Sequence, residues 1–135
     1  MNRHQARRQA FTFVFESEFG NNNVEDTIEM AKLCRNEEID DFARNLLIGI
    51  KENENIIEEH IEKNAAGWKK ERLSMIALAI LKVAIYEIIY VKNIPESVSI
   101  NEAVKLAQKY GEKEEPSYIN GVLGAFVRNL KKCSS

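Results

Sequence analysis

Between residues 39 and 50 the apolar positions Ile39, Phe42, Ala43, Leu46, Leu47 and Ile50 recur three and four apart, which gathers them on one face of a helix. Ile57 and Ile61 continue the stripe past the polar break "KENEN", so this stretch is one long helix or two joined ones. Upstream, a first helix is predicted over about 3–19, stopping at "GNNN", where Gly20 can take the positive backbone dihedral that ends a helix. Asn23 suits the N-cap of a second helix over about 24–35, with Ile28, Ala31 and Cys34 on one side, and Cys34 is then a small core residue.

The richest apolar segment, "LSMIALAILKVAIYEIIYV" over 73–91, has the length of a membrane span, but Lys82 and Glu87 interrupt it, and a buried core helix explains it better. It should end near "NIP", because the residue before Pro95 is pushed away from helical geometry. "SINE" then reads as a capping box, Ser99 and Glu102 each serving the other's backbone amide, opening the helix "INEAVKLAQKY" that Gly111 closes. After the solvated run "EKEE", Pro116 and Ser117 start a last helix with Ile119, Val122, Leu123, Phe126, Val127 and Leu130 at helical spacing. No segment alternates with period two over a strand length, so the class is all-α: a compact bundle of about seven helices. "NAAGW" is the best candidate for a boundary between two lobes.

Composition agrees with one domain. Of 135 residues, 44% are hydrophobic, enough for a core, and only two prolines and six glycines interrupt helices. Cys34 and Cys133 show neither metal-type spacing nor a redox pair, which points to a reducing compartment; "AFTFVF" is too short and too soon followed by Glu16 and Glu18 to be a signal peptide, so a cytoplasmic location is expected. With two histidines, two separated cysteines and no glycine-rich phosphate loop, no nucleophile, metal set or acid-base pair stands at a recognisable spacing; neither an enzyme nor a cofactor or metal is expected.

Charge changes the picture at one place. The net charge is only -2, and residues 16–62 hold 14 acidic against four basic side chains, yet the first 15 residues carry three arginines and no acid. Arg3, His4, Arg7 and Arg8 fall on one helical face about 140° wide. Like charges at i,i+4 cost an isolated helix about 0.2–0.5 kcal/mol, and cations near its N-terminus about 0.3–1 kcal/mol more. A solvated end paired with the acidic middle would tolerate this; a polyanion would relieve both costs, and guanidinium forks fit phosphates and stack on bases. Single-stranded RNA suits so small a patch better than DNA, for which the chain has no zinc finger or basic zipper.

The segments "WKKERL", "AILKVAIYEIIY", "IPESVSINEAVKLAQKYG" and "YINGVLGAF" occur in an order and spacing that resembles the NusB family of bacterial transcription antitermination factors across nearly the full length, with "INEAVKLAQKYG" and "INGVL" the specific parts. The resemblance is to NusB itself, and no catalytic domain of the kind found in RNA methyltransferases that carry a NusB-like module is expected. The resemblance implies a single RNA-binding domain of two packed helical subdomains of three to four helices each, about 1–64 and 68–131. It also implies a non-catalytic adaptor that pairs with NusE, a ribosomal protein active in transcription, binds the boxA element of nascent RNA, especially in ribosomal RNA operons, and joins other Nus factors on RNA polymerase. No membrane partner is implied, and a monomer and a homodimer both stay open. The rival reading is a helical protein-binding scaffold without specific RNA binding.

Residue by residue, the resemblance puts RNA contacts on Arg3, His4 and Arg7, with Arg8 a local addition, and on the "YING" motif, where Tyr118 could stack a base and Asn120 hydrogen-bond one. Packing is the alternative for Tyr118, and capping for Asn120. Gly121 and Gly124 each cost a helix about 1 kcal/mol relative to alanine, which points first to close helix packing and second to close RNA approach. The NusE surface falls on Phe15, for which core packing competes, and on Lys82, Tyr86 and Glu87, where a polar strip facing a partner is preferred over an internal arrangement. Two departures stand out: His4 replaces a fixed cation in the basic run, and Lys82 stands where the family often has arginine.

Overall fold

A helix that is apolar on every side has to sit at the centre of a bundle, and α5 (Met75–Tyr90) does: its residues from Ala77 to Ile85 are buried without a break. The computed structural model describes residues 1–20, 23–65 and 73–134, among which are seven α-helices and no strand. The remaining six are α1 (Arg3–Gly20), α2 (Val24–Arg35), α3 (Asp41–Glu52), α4 (Glu54–Asn64), α6 (Glu96–Tyr110) and α7 (Glu115–Ser134). α5 packs on α1, α3 and α4 as well as on α6 and α7, so both halves of the chain share one core. No described helix is long and apolar enough to cross a membrane. Most of "NAAGW", the expected boundary, lies outside the described residues.

Local chemistry sets the helix ends. Asn23 Oδ1 accepts the amide of Asp26 at 2.8 Å, and α2 ends at Asn36 in the left-handed region (φ 52°), whose amide bonds back to Lys32. The polar break after α3 is a true junction: Asn53 caps α3, its Nδ2 donating to the Gly49 carbonyl at 2.8 Å, and α4 starts at the next residue.

Two sequence expectations are corrected. Cys34 is exposed, because the buried side of α2 runs through Thr27 and Ala31 and turns the thiol outward. "SINE" does not open a helix: α6 starts three residues earlier, at Glu96 directly after Pro95, whose fixed φ of −60° leads into it. Ser99 is thereby inside α6 and buried, its hydroxyl free for a partner on another helix.

Candidate nucleic-acid and partner interfaces

The four basic residues of the first turns do not share one fate. Arg7 points inward and is 5% exposed; its Nε donates to both carboxylate oxygens of Glu87, at 3.0 and 2.8 Å, and the Ser99 hydroxyl donates to the same carboxylate at 2.7 Å. Glu87 is 1% exposed. A carboxylate buried this far is stable only when its lone pairs are met, and here α1 and α6 meet them from two sides of α5. His4 pairs with Glu102 of α6, Nδ1 to Oε2 at 2.5 Å. Arg3 is exposed and lays its guanidinium 4.0 Å from the centre of the Phe42 ring on α3. Arg8 is half-exposed and enters none of these pairs.

The expected cationic face is therefore smaller than four residues. Arg7 is corrected from a surface contact to a buried strut, and the crowding cost that the sequence suggests is met largely within the protein, by Glu87, Glu102 and Phe42. Arg3, His4 and Arg8 remain on the outside.

Lys82 and Glu87 are likewise corrected: neither belongs to an exposed polar strip. The Lys82 side chain has no exposed surface, and its Nζ lies 2.5 Å from Glu18 of α1, 3.2 Å from Glu58 and 3.7 Å from Glu54 of α4. Lys51 of α3 joins from outside, 3.8 Å from Glu18 and 3.5 Å from Glu54. One ammonium thus ties α1, α4 and α5 together. A lysine, whose three donors are free to rotate, suits a ring of separate carboxylates better than a planar fork would.

What remains of the expected partner surface is aromatic. Tyr86 is half-buried with its ring against Gly49, where a Cβ would overlap it, and tilts on Tyr90 at 4.9 Å. Burial, then the charge of Glu52, pushes the Tyr86 hydroxyl pKa up. Phe15 is half-buried in a ladder that runs from Tyr110 of α6 through Phe11 and Phe15 to Phe19, with centroids 5.2, 6.4 and 6.0 Å apart. The ladder surfaces at Phe19, which is 73% exposed.

On α7, Tyr118 packs against the core and Asn120 is exposed. Tyr118 lines an open groove of about 220 Å³ with Leu73, Ser74, Ala77 and three glutamates, Glu112, Glu114 and Glu115. That acidic rim has the wrong sign for a phosphate strand, and burial raises the Tyr118 pKa. Gly121 is exposed with nothing within 4 Å of a Cβ built on it, so close helix packing does not account for it. The glycine that packing does require is Gly49, which sequence spacing did not single out; its signal was the apolar face of α3 on which it lies. Phe42, Ser99 and the carboxylates around Lys82 were also missed, though an ammonium inside an apolar helix demands acids, and "ENENIIEE" supplied them.

Comparison with known proteins decides between a generic bundle and a specific one. Residues 4–128 match the NusB family. The chain belongs to the NusB family. Relatives named transcription antitermination protein NusB include one from Clostridium acetobutylicum, 40% identical with 98% of this chain and 99% of the relative covered, and one from Carboxydothermus hydrogenoformans, 40% identical over 96% and 95%. Among solved structures, NusB of T. maritima is 30% identical with a TM-score of 0.84, covering 95% of this chain and 92% of that one. The NusB of a crystal structure of antitermination factors NusB and NusE in complex with dsRNA superposes with a TM-score of 0.82 at 22% identity, over 96% and 99% of the two chains, which shows the shared fold. Family membership makes this a non-enzymatic transcription antitermination factor.

Proposed function

We propose that the protein binds the boxA element of nascent RNA together with NusE and helps assemble an antitermination complex on RNA polymerase, chiefly in ribosomal RNA operons. Membership of the NusB family over nearly the whole chain carries this reading. RNA contacts fall on Arg3, His4 and Arg8 at the start of α1 and on Asn120 of α7, with Arg7 holding α1 in place from inside. The exposed backbone at Gly121, next to Asn120, lets a strand approach the helix closely. NusE docks on the aromatic rings of Phe15 and Phe19, where the ladder surfaces, and on half-buried Tyr86. A solved NusB–NusE complex of the same fold contains double-stranded RNA, whereas the small cationic face here suits an unpaired strand.

The test is a titration of labelled boxA RNA, a scrambled strand and the boxA duplex, each with and without NusE. Tightest binding is expected for single-stranded boxA with NusE present. Equal affinity for the scrambled strand under all conditions, with NusE still captured, would favour a protein-binding scaffold instead.

A further inference from the structure

Phe42 lies on α3, far in sequence from α1, yet it meets two of the N-terminal arginines. The Arg3 guanidinium sits 4.0 Å from its ring centre and that of Arg7 5.8 Å. Its own position is fixed from α1: the Gln9 side chain accepts the Asp40 amide at 2.8 Å and donates to the Glu38 carbonyl at 2.9 Å, and Asp40 in turn caps α3 by accepting the Phe42 amide at 3.0 Å. The Arg3 guanidinium carbon thus lies against an aromatic ring while the residue stays exposed. Beside it opens a shallow depression of about 270 Å³, lined by Met1, Asn2, Arg3, Ala6 and Asp40.

We propose that Phe42 backs the Arg3 guanidinium as a ready-made stacking plate, and that an unpaired nucleobase lies on its outer face in the depression by Asn2 and Asp40. A guanidinium held flat loses less freedom when a base stacks on it than one that must first be ordered. Planar cations and bases stack well, and the plate needs no particular base. This assigns the stacking role to Arg3 and Phe42, with Phe42 a positioning residue, while Tyr118 stays with its acidic groove. The inference rests on the RNA reading above.

The experiment measures affinity for a labelled single-stranded boxA RNA and for the same strand with one abasic ribose placed at each position in turn. Arg3→Lys keeps the charge and loses the plane. Stacking contributes on the order of 1–3 kcal/mol per base, so Arg3→Lys should weaken binding at least about fivefold, and the abasic strand that costs the wild type most should cost this variant almost nothing more. Phe42→Leu should weaken binding about two- to fivefold, the span of an exposed cation–π contact, with Phe42→Tyr restoring it. In an Arg3→Ala background Phe42→Leu should change nothing. The upfield ring-current shift of the Arg3 side-chain protons should vanish in Phe42→Leu before any RNA is added. If Arg3→Ala weakens binding and Arg3→Lys restores it, the stacking plate is overturned and the RNA patch stands. If Arg3→Ala has no effect, the stacking plate is overturned, and the RNA patch falls with it only where Arg8→Ala is equally silent.

Discussion

Arg7 and Glu87 act as one buried group, so removing either leaves the other as an uncompensated charge. Glu87→Gln and Arg7→Ala are each expected to lower stability by about 3–5 kcal/mol, read from urea unfolding, with the double variant far less than additive. A Glu87→Gln protein as stable as the wild type would contradict the pairing. His60 gives a pH-dependent counterpart. Its ring stands edge-on to Phe126 at 5.0 Å, and burial, then Lys63, lowers its pKa below 6.5 against the opposing Glu59. The unfolded chain thus binds more protons than the folded one between the two pKa values, so His60 favours folding above pH 6.5 and this is lost as pH falls through the folded value. The fall in Tm from about pH 7.5 to about pH 5.5 should be smaller in His60→Gln. At this scale the sequence was a partial guide. It singled out Arg7, Lys82 and Glu87 as charges needing an explanation, but partners 80 positions apart, as for Arg7 and Glu87, follow from how helices dock and leave no mark in local spacing.

Helix boundaries were legible wherever a single residue type sets them. Asn23 caps α2 and "KENEN" splits α3 from α4, both from local backbone chemistry, whereas α5 ends at Tyr90, short of the "NIP" where Pro95 is expected to stop it. The capping box failed because Pro95 starts α6 first, and a serine with a glutamate three positions on recurs inside helices too. The glycines divide the same way. Gly121 has room for a methyl group and Gly49 does not, since Tyr86 occupies the space. Gly121→Ala should therefore raise stability by up to about 1 kcal/mol. Gly49→Ala meets an overpacking cost of about 1–3 kcal/mol that outweighs the same gain, so the two alanines should move Tm in opposite directions. Thermal melts of the two variants decide it, and a Gly49→Ala protein that melts higher would mean that the Tyr86 ring swings aside at no cost. Sequence spacing could not separate these glycines, because each lies within a helix and only the neighbouring helix tells them apart.

The whole molecule carries a charge of -2 with its acids concentrated over residues 16–62, so an RNA strand approaching at random meets repulsion over much of the surface. Binding must then be local, and its salt dependence counts the cations that touch phosphate. For single strands the log-log slope is about -0.7 per neutralised phosphate. Four basic residues in contact would give about -3. With Arg7 committed to Glu87 and His4 held by Glu102, the structure leaves Arg3 and Arg8, with His4 joining only if it exchanges its carboxylate for the strand. The expected slope is about -1.4 to -2. Arg8→Ala should reduce it by about 0.7, whereas Arg7→Ala should cost stability and leave the slope of the remaining folded protein nearly unchanged. Fluorescence anisotropy across a salt series reads both. A slope that drops with Arg7→Ala as much as with Arg8→Ala would mean that RNA pulls Arg7 from its carboxylate, and the division between inner strut and outer contacts would have to be redrawn.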